Sequence, residues 1–174
     1  PHSRTTRMMR KQLDIARPLA KQVWASIVRR KIENQAACLK LCGRDGVYRL
    51  ESYARRVRSG DPDNLEGQAA AFYFTQMFGQ DFHRGQERWT NGALDYGYAV
   101  LRGAIARGLV AHGLHPTVGL FHDSEQNAFN LADDLIEPFR PLIDLHVAKH
   151  PASTEGDLSP ADKAALVALL NVDV

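Results

Sequence analysis

One run of residues limits what this chain can fold into more than any other. Leu19, Val23, Trp24, Ile27, Val28, Ile32, Cys38, Leu39 and Leu41 recur mostly three or four apart, between Pro18 and Gly43. That spacing lines one face of a 3.6-residue helix, so the stretch predicts a long amphipathic helix. Pro18 suits its first turn, where an N–H has no intrahelical partner, and Gly43 suits its stop. At 174 residues the chain has room for one domain, or at most two small ones, around such a helix.

The rest of the chain follows the same pattern. Residues 1–17 are basic and partly apolar. A short helical segment is expected near Leu50–Val57, among the turn residues of 44–63. Leu65–Phe78 is rich in alanine and aromatics, with Asp63 as a cap and Gly79 as its end. After a polar connection over 80–89, Leu94, Tyr98, Leu101, Ile105 and Leu109 share one face of a helix over Asn91–His112, which Gly113 and Pro116 close. Thr117–Phe121 reads as extended or turn-like. Asp123 or Ser124 is expected to cap a helix including Asn127–Glu137, and Pro138 kinks or ends it before apolar residues resume to about Val147. Residues 150–160 resemble a linker, and Ser159-Pro160 opens a short terminal helix. No segment reads as a strand of more than about five residues, so the expected class is mainly α. The expected division is a helical unit over 1–150, followed by a linker and short helix over 151–174.

Composition removes several classes. Hydrophobic residues make up 44% and charged residues 24%, which argues against disorder. A net charge of +2 means that an anionic partner must meet a local patch. No apolar run approaches bilayer length, and PHSRTTRMMR lacks the apolar core of a signal peptide. The two cysteines, Cys38 and Cys42, exclude a disulfide framework and cannot close a structural zinc site without histidines nearby, so a reducing cytoplasm is expected.

Two constellations carry possible chemistry. Asp134 and Glu137 lie three apart, on one face of a helix, with His122 just before it and Glu66 in an apolar helix. Oxygen-rich donors with one imidazole suit Mg²⁺ or Mn²⁺ better than zinc. The same residues have plain readings. Asp63-x-x-Glu66 is a capping-box pattern, Glu137 precedes a kink, and His122 can bond the backbone of a turn. The second constellation is basic: Arg29-Arg30-Lys31, then Arg55, Arg56 and Arg58, then Arg84 and Arg88. Such clusters neutralise phosphates or form a solvated helix face. Tyr96-Gly97-Tyr98 reads as helix core with one ring free to reach a polar cleft.

A far more specific signal is Gly113-Leu-His-Pro-Thr-Val-Gly-Leu-Phe-His122, followed by Asn127-Ala-Phe-Asn-Leu-Ala-Asp-Asp-Leu-Ile-Glu-Pro-Phe-Arg-Pro141 and Asp144. This stretch resembles the helical catalytic domain of the CRISPR-associated integrase family Cas1, in the branch found beside Cas9 systems. WASIVRRKIENQ from Trp24, DPDNLEGQAAAFYF from Asp61 and NGALDYGYAVLR from Asn91 extend the likeness over roughly residues 9–147. The resemblance implies that Glu66, His122 and Glu137 hold a divalent ion, Mg²⁺ or Mn²⁺, with Asp134 in support. The family also carries an N-terminal β-rich dimerisation domain that this chain lacks. With Pro1 in place of an initiator Met, the chain reads as the helical part of a longer protein.

The implied activity is joining of the 3′-OH ends of captured spacer DNA into a repeat by direct transesterification. Water in place of the hydroxyl would make the same centre an endonuclease. The implied partners are double-stranded DNA, a second copy of the chain and the small protein Cas2, with no membrane. Arg29, Arg30, Arg55, Arg56 and Arg84 are the expected phosphate contacts, and Asn91 and Tyr98 the expected strand contacts. The competing readings are a metal-free helical DNA-binding module and a small-molecule metallohydrolase with a deep closed pocket.

Overall fold

The structure is a computed structural model and describes residues 2–86, 88–150 and 157–170. Eight α-helices and one 3-10 turn are present, and no strand occurs among the described residues. The predicted long helix is α2, Arg17–Leu41. It buries Trp24, Ile27, Val28, Ile32, Ala36 and Leu39 along one face, so it is the axle of the fold. Helices α3 (Val47–Arg56) and α4 (Leu65–Phe78) close on it through Leu50, Tyr53, Leu65, Ala69 and Tyr73. Each aliphatic side chain sealed in such a core contributes about 1.5–3 kcal/mol.

A second core joins α5 (Trp89–Ala111), α7 (Arg140–Lys149) and α8 (Pro160–Ala168) through Leu94, Tyr98, Leu101, Ile143, Val147 and Leu166. Gly97 permits the approach of α5 and α7, because a Cβ there would stand 2.5 Å from Ile143 Cγ2. Helix α6 (Asn130–Ile136) covers the far end of α5 through Leu131, Ala132, Ala106 and Leu109.

Several local expectations need correction. The basic opening is a helix, α1 (His2–Leu13), which the sparse apolar residues did not announce. Asp63 does not cap α4, because Arg58 holds its carboxylate in a two-pronged ion pair. Asn64 caps instead, with Oδ1 accepting from Gly67 N, while Asp61 takes the amides of Leu65 and Glu66. The Asp63–Glu66 capping box is therefore absent. The helix expected from Asn127 starts at Asn130, and neither Asp123 nor Ser124 caps it; Ser124 exchanges hydrogen bonds with the Asn130 side chain. Pro138 acts as expected, turning Glu137–Phe139 into a 3-10 link that re-aims the chain into α7. The Ser159 cap of α8 is present and forms a full capping box with Asp162. Most of the 150–160 linker, residues 151–156, lies outside the described residues. Among the described residues no helix is long and apolar enough to cross a membrane.

Candidate metal centre

Glu66 and Glu137 come from distant parts of the chain and meet at one positive charge. Asp61 fixes the first turn of α4 through two backbone amides, which leaves the Glu66 side chain free to face α2. The 3-10 turn brings Glu137 to the same place. Between them sits Lys31 of α2, whose Nζ donates to Glu66 Oε1 and to Glu137 Oε2. Glu137 Oε1 also accepts from Arg140 Nε at 2.8 Å. Lys31 is only 7% exposed and Glu137 only 6%. Burial alone would push the lysine down and the carboxyl up, but mutual attraction wins on both sides. The Glu137 and Glu66 carboxylates hold Lys31 above its usual range, while Lys31 and Arg140 hold Glu137 below its own.

His122 is placed by a separate device. Asp134, fully buried on α6, accepts from the amides of Leu120 and Phe121 through Oδ2. Its Oδ1 takes the His122 amide at 3.1 Å and faces His122 Nδ1 at 2.7 Å. The hydrogen bond to Asp134 raises the His122 pKa against the effect of burial, and the field of Glu137 raises it further. Gly119 lets the loop fold this tightly, since a Cβ there would stand 2.2 Å from the His122 carbonyl oxygen and 3.0 Å from Asp134 Oδ2. Phe121 stacks flat on Trp24 of α2 at 4.3 Å, and the His122 ring meets Trp24 edge-on. From the other side, Gln12 of α1 donates to the carbonyls of His115 and Val118 and accepts from His115 N.

Behind Lys31 lies a cavity of about 120 Å³, lined in part by Gln35, Arg84, Tyr98, Arg140 and Asp144. Asp144 is fully buried and accepts the Tyr98 hydroxyl. Burial lifts its carboxyl to about 7, partly offset by hydrogen bonds from Tyr98 and Tyr73 and by Lys31 and Arg140. Gln35 Oε1 is buried and has no hydrogen-bond partner, and the buried Tyr73 hydroxyl lies against Asp144 and Cys38.

The structure divides the expected ligand set into two pairs. Glu66 and Glu137 share Lys31, and His122 is fastened to Asp134; among the described residues no three His, Cys, Asp or Glu side chains form a ready ion cage. The donors still suit a hard cation. Two carboxylates already converge on one positive centre, and Asp134 engages His122 Nδ1, which fixes the ring and leaves Nε2 to a ligand.

The expected DNA contacts separate in the same way. Arg30, Arg55 and Arg56 are exposed; Arg30 pairs with Glu33 and Arg55 lies over Tyr48. Arg29 reaches the Val57 carbonyl and thereby ties α2 to the end of α3. Arg84 pairs with Asp95 and lies over Tyr98. Asn91 is 2% exposed, its amide donates to the carbonyls of His83 and Gln86, and its oxygen accepts from Arg84. It braces the 83–86 turn. Tyr98 is buried and bonded to Asp144, with its ring at the cavity wall and Arg140 4.6 Å above it.

Sequence reasoning placed Lys31 in a phosphate-binding cluster, whereas it is the buried partner of two carboxylates. The available signal was its spacing of four and eight residues from Ile27 and Val23, within the apolar stripe of α2. Cys38 donates to the Pro141 carbonyl at 3.1 Å, and burial pushes its thiol up to about 12; Cys42 is also free, so neither forms a disulfide.

The comparisons with known proteins agree with one another. A family model described as CRISPR associated protein Cas1 matches residues 1–155. The chain is 46% identical over 176 residues to the CRISPR-associated endonuclease Cas1 of Neisseria meningitidis serogroup C, covering 99% of this chain and 58% of that protein. It is 33% identical over 124 residues to a Cas1 of Thermus thermophilus, covering 64% of this chain and 39% of that one. Each match therefore spans well under two thirds of the relative. The fold resembles a chain of a partial Cas6-RT-Cas1–Cas2 complex, with TM-score 0.77, 20% identity, and 97% of this chain and 63% of that chain covered. It also resembles a casposase bound to an integration product, with TM-score 0.60 and 19% identity over 89% of this chain and 56% of that one. A mainly helical fold, the loop-and-helix unit carrying His122 and Asp134, and a family match over most of the sequence lead to one conclusion: this chain belongs to the CRISPR-associated Cas1 family.

Proposed function

We propose that this chain is the helical catalytic part of a divalent-metal-dependent DNA integrase and endonuclease of CRISPR adaptation. The observation that carries the reading is the convergence of Glu66 and Glu137 on a single positive centre. Glu66, Glu137 and His122 Nε2 would hold Mg²⁺ or Mn²⁺, with Asp134 orienting the imidazole. When bound, such an ion supplies positive charge that lowers the pKa of an attacking hydroxyl and neutralises phosphate oxygens. The reaction is transesterification: a 3′ oxygen forms a bond to phosphorus, the P–O bond of the repeat strand breaks, and the attacking hydroxyl's proton is released as the departing oxygen is protonated. Arg84 and Arg140, on the wall beside Glu137, and the exposed Arg30, Arg55 and Arg56 are suited to hold backbone phosphates.

The proposed partners are duplex DNA from the captured spacer and the repeat, a second copy of the chain, and Cas2; a structural relative named as a complex with Cas2 supports the last. The test uses the complete protein that carries these residues. Strand joining of a 3′-OH duplex into a repeat should fall to background in Glu66→Ala, His122→Ala and Glu137→Ala, with folding intact. Normal joining by any of the three would overturn the assignment. The metal-free DNA-binding reading predicts duplex binding by all three variants and no change in melting temperature with Mn²⁺.

A further inference from the structure

Lys31 occupies the point where the two carboxylates meet, so a divalent ion and the ammonium cannot both sit there. The cavity that Lys31 lines holds other acceptors. Gln35 lies one helical turn further along α2, is 1% exposed and lines the same cavity as Lys31, and its Oε1 is a buried acceptor with no partner. Asp144 lines the same cavity and uses Oδ1 for the Tyr98 hydroxyl. A buried acceptor without a donor is costly and calls for an explanation. A carboxylate beside it gives a cation a reason to go there.

We propose that Lys31 is an internal counter-cation that exchanges between two seats. It stands between Glu66 and Glu137 when no ion is bound, and moves to Gln35 Oε1 and Asp144 when a divalent ion takes its place. This inference rests on the metal reading above and adds to it a mobile residue with its destination. In the first seat the ammonium keeps two buried carboxylates together that would otherwise repel. In the second it satisfies the orphaned amide oxygen and places positive charge beside Arg84 and Arg140. Metal binding is then a displacement, and its affinity reports the quality of both seats.

The test is a double-mutant cycle on this chain, with Mn²⁺ affinity read by titration calorimetry and by the rise in melting temperature. Lys31→Met removes the competitor and should tighten Mn²⁺ by about tenfold or more. Asp144→Asn damages the destination and should weaken Mn²⁺ severalfold in the wild-type background, yet have no effect in Lys31→Met. A plain charge effect of Asp144 would weaken Mn²⁺ equally in the wild-type and Lys31→Met backgrounds, and that result, or no effect in either, overturns the exchange. Unchanged or weaker binding in Lys31→Met overturns it as well. Mn²⁺ binding by neither wild type nor Lys31→Met removes the metal reading itself, whereas equal binding by both removes only the exchange. Because Lys31→Met leaves buried carboxylates short of a partner, the wild-type chain supplies an independent readout. The Lys31 ε-methylene NMR signals should move to a second, still buried environment as Mg²⁺ is added, and fixed signals at saturating Mg²⁺ overturn the proposal.

Discussion

Asp134→Asn is the sharpest probe of how this site is built. The carboxylate is fully buried and meets four donors: the amides of Leu120 and Phe121 at one oxygen, the His122 amide and ring at the other. Asparagine keeps the shape but offers one acceptor oxygen and one NH₂ group. Whichever way it turns, two donors then face an N–H. Hydrogen bonds to a charged acceptor are worth about 1.5–3 kcal/mol each, so the gross loss is about 3–6 kcal/mol. Phe121 and the His122 ring are partly open to water and recover some of it, which leaves about 3 kcal/mol.

The deficit should also depend on pH. Asp134 raises the folded-state pKa of His122 above the unfolded value of 6.5. A raised base stabilises the fold fully below its unfolded pKa, and that contribution fades as pH rises through the folded value. The cost of Asp134→Asn should therefore be larger near about pH 5.5 than near about pH 8.5. Urea unfolding followed by tryptophan fluorescence is a suitable assay, since Trp24 stacks on Phe121 beside the mutated residue. NMR titration of His122 should show its pKa falling in the variant. Stability within about 0.5 kcal/mol of wild type at both pH values, together with an unmoved His122 pKa, would refute the argument.

Two further outcomes follow from the same geometry. Gly119→Ala places a Cβ against the His122 carbonyl and Asp134, so it should cost about 1–3 kcal/mol and dislodge His122; urea unfolding and the His122 NMR signal check both. Asp144→Asn should flatten the pH dependence of stability, because a buried carboxyl lifted to about 7 from 3.8 makes the fold lose stability progressively between those values as pH rises. The shift corresponds to about 4 kcal/mol, so wild type should lose stability from about pH 4 to pH 7 relative to the variant. Parallel curves for the two in urea melts would contradict this.

Helical class, the extent of α2, the exact span of α4, the Gly79 and Gly113 stops and the Ser159-Pro160 start were all legible in the sequence. Each depends on periodicity or on a single residue's backbone preference, and both are local. Glu66, His122, Asp134 and Glu137 were singled out through the family resemblance of their motifs, and the structure sorts them into Glu66 and Glu137 around Lys31 and His122 against Asp134. Local physics could not choose between a cap and an inward-facing carboxylate for Glu66, because that choice depends on Asp61 taking the helix amides and on Lys31 arriving from α2.

The sequence alone determined most of the helical segments, α1 excepted, and which side chains are available for chemistry. Only the tertiary structure decided what those side chains face. It seated Lys31 between two carboxylates, enclosed Asn91, spent Asp63 on Arg58, and left Gln35 Oε1 without a donor. The physical reason is that a side chain's charge state and partners follow from desolvation and from contacts between residues as much as 106 positions apart. Those contacts exist only once α2, α4 and the Glu137 turn have packed together.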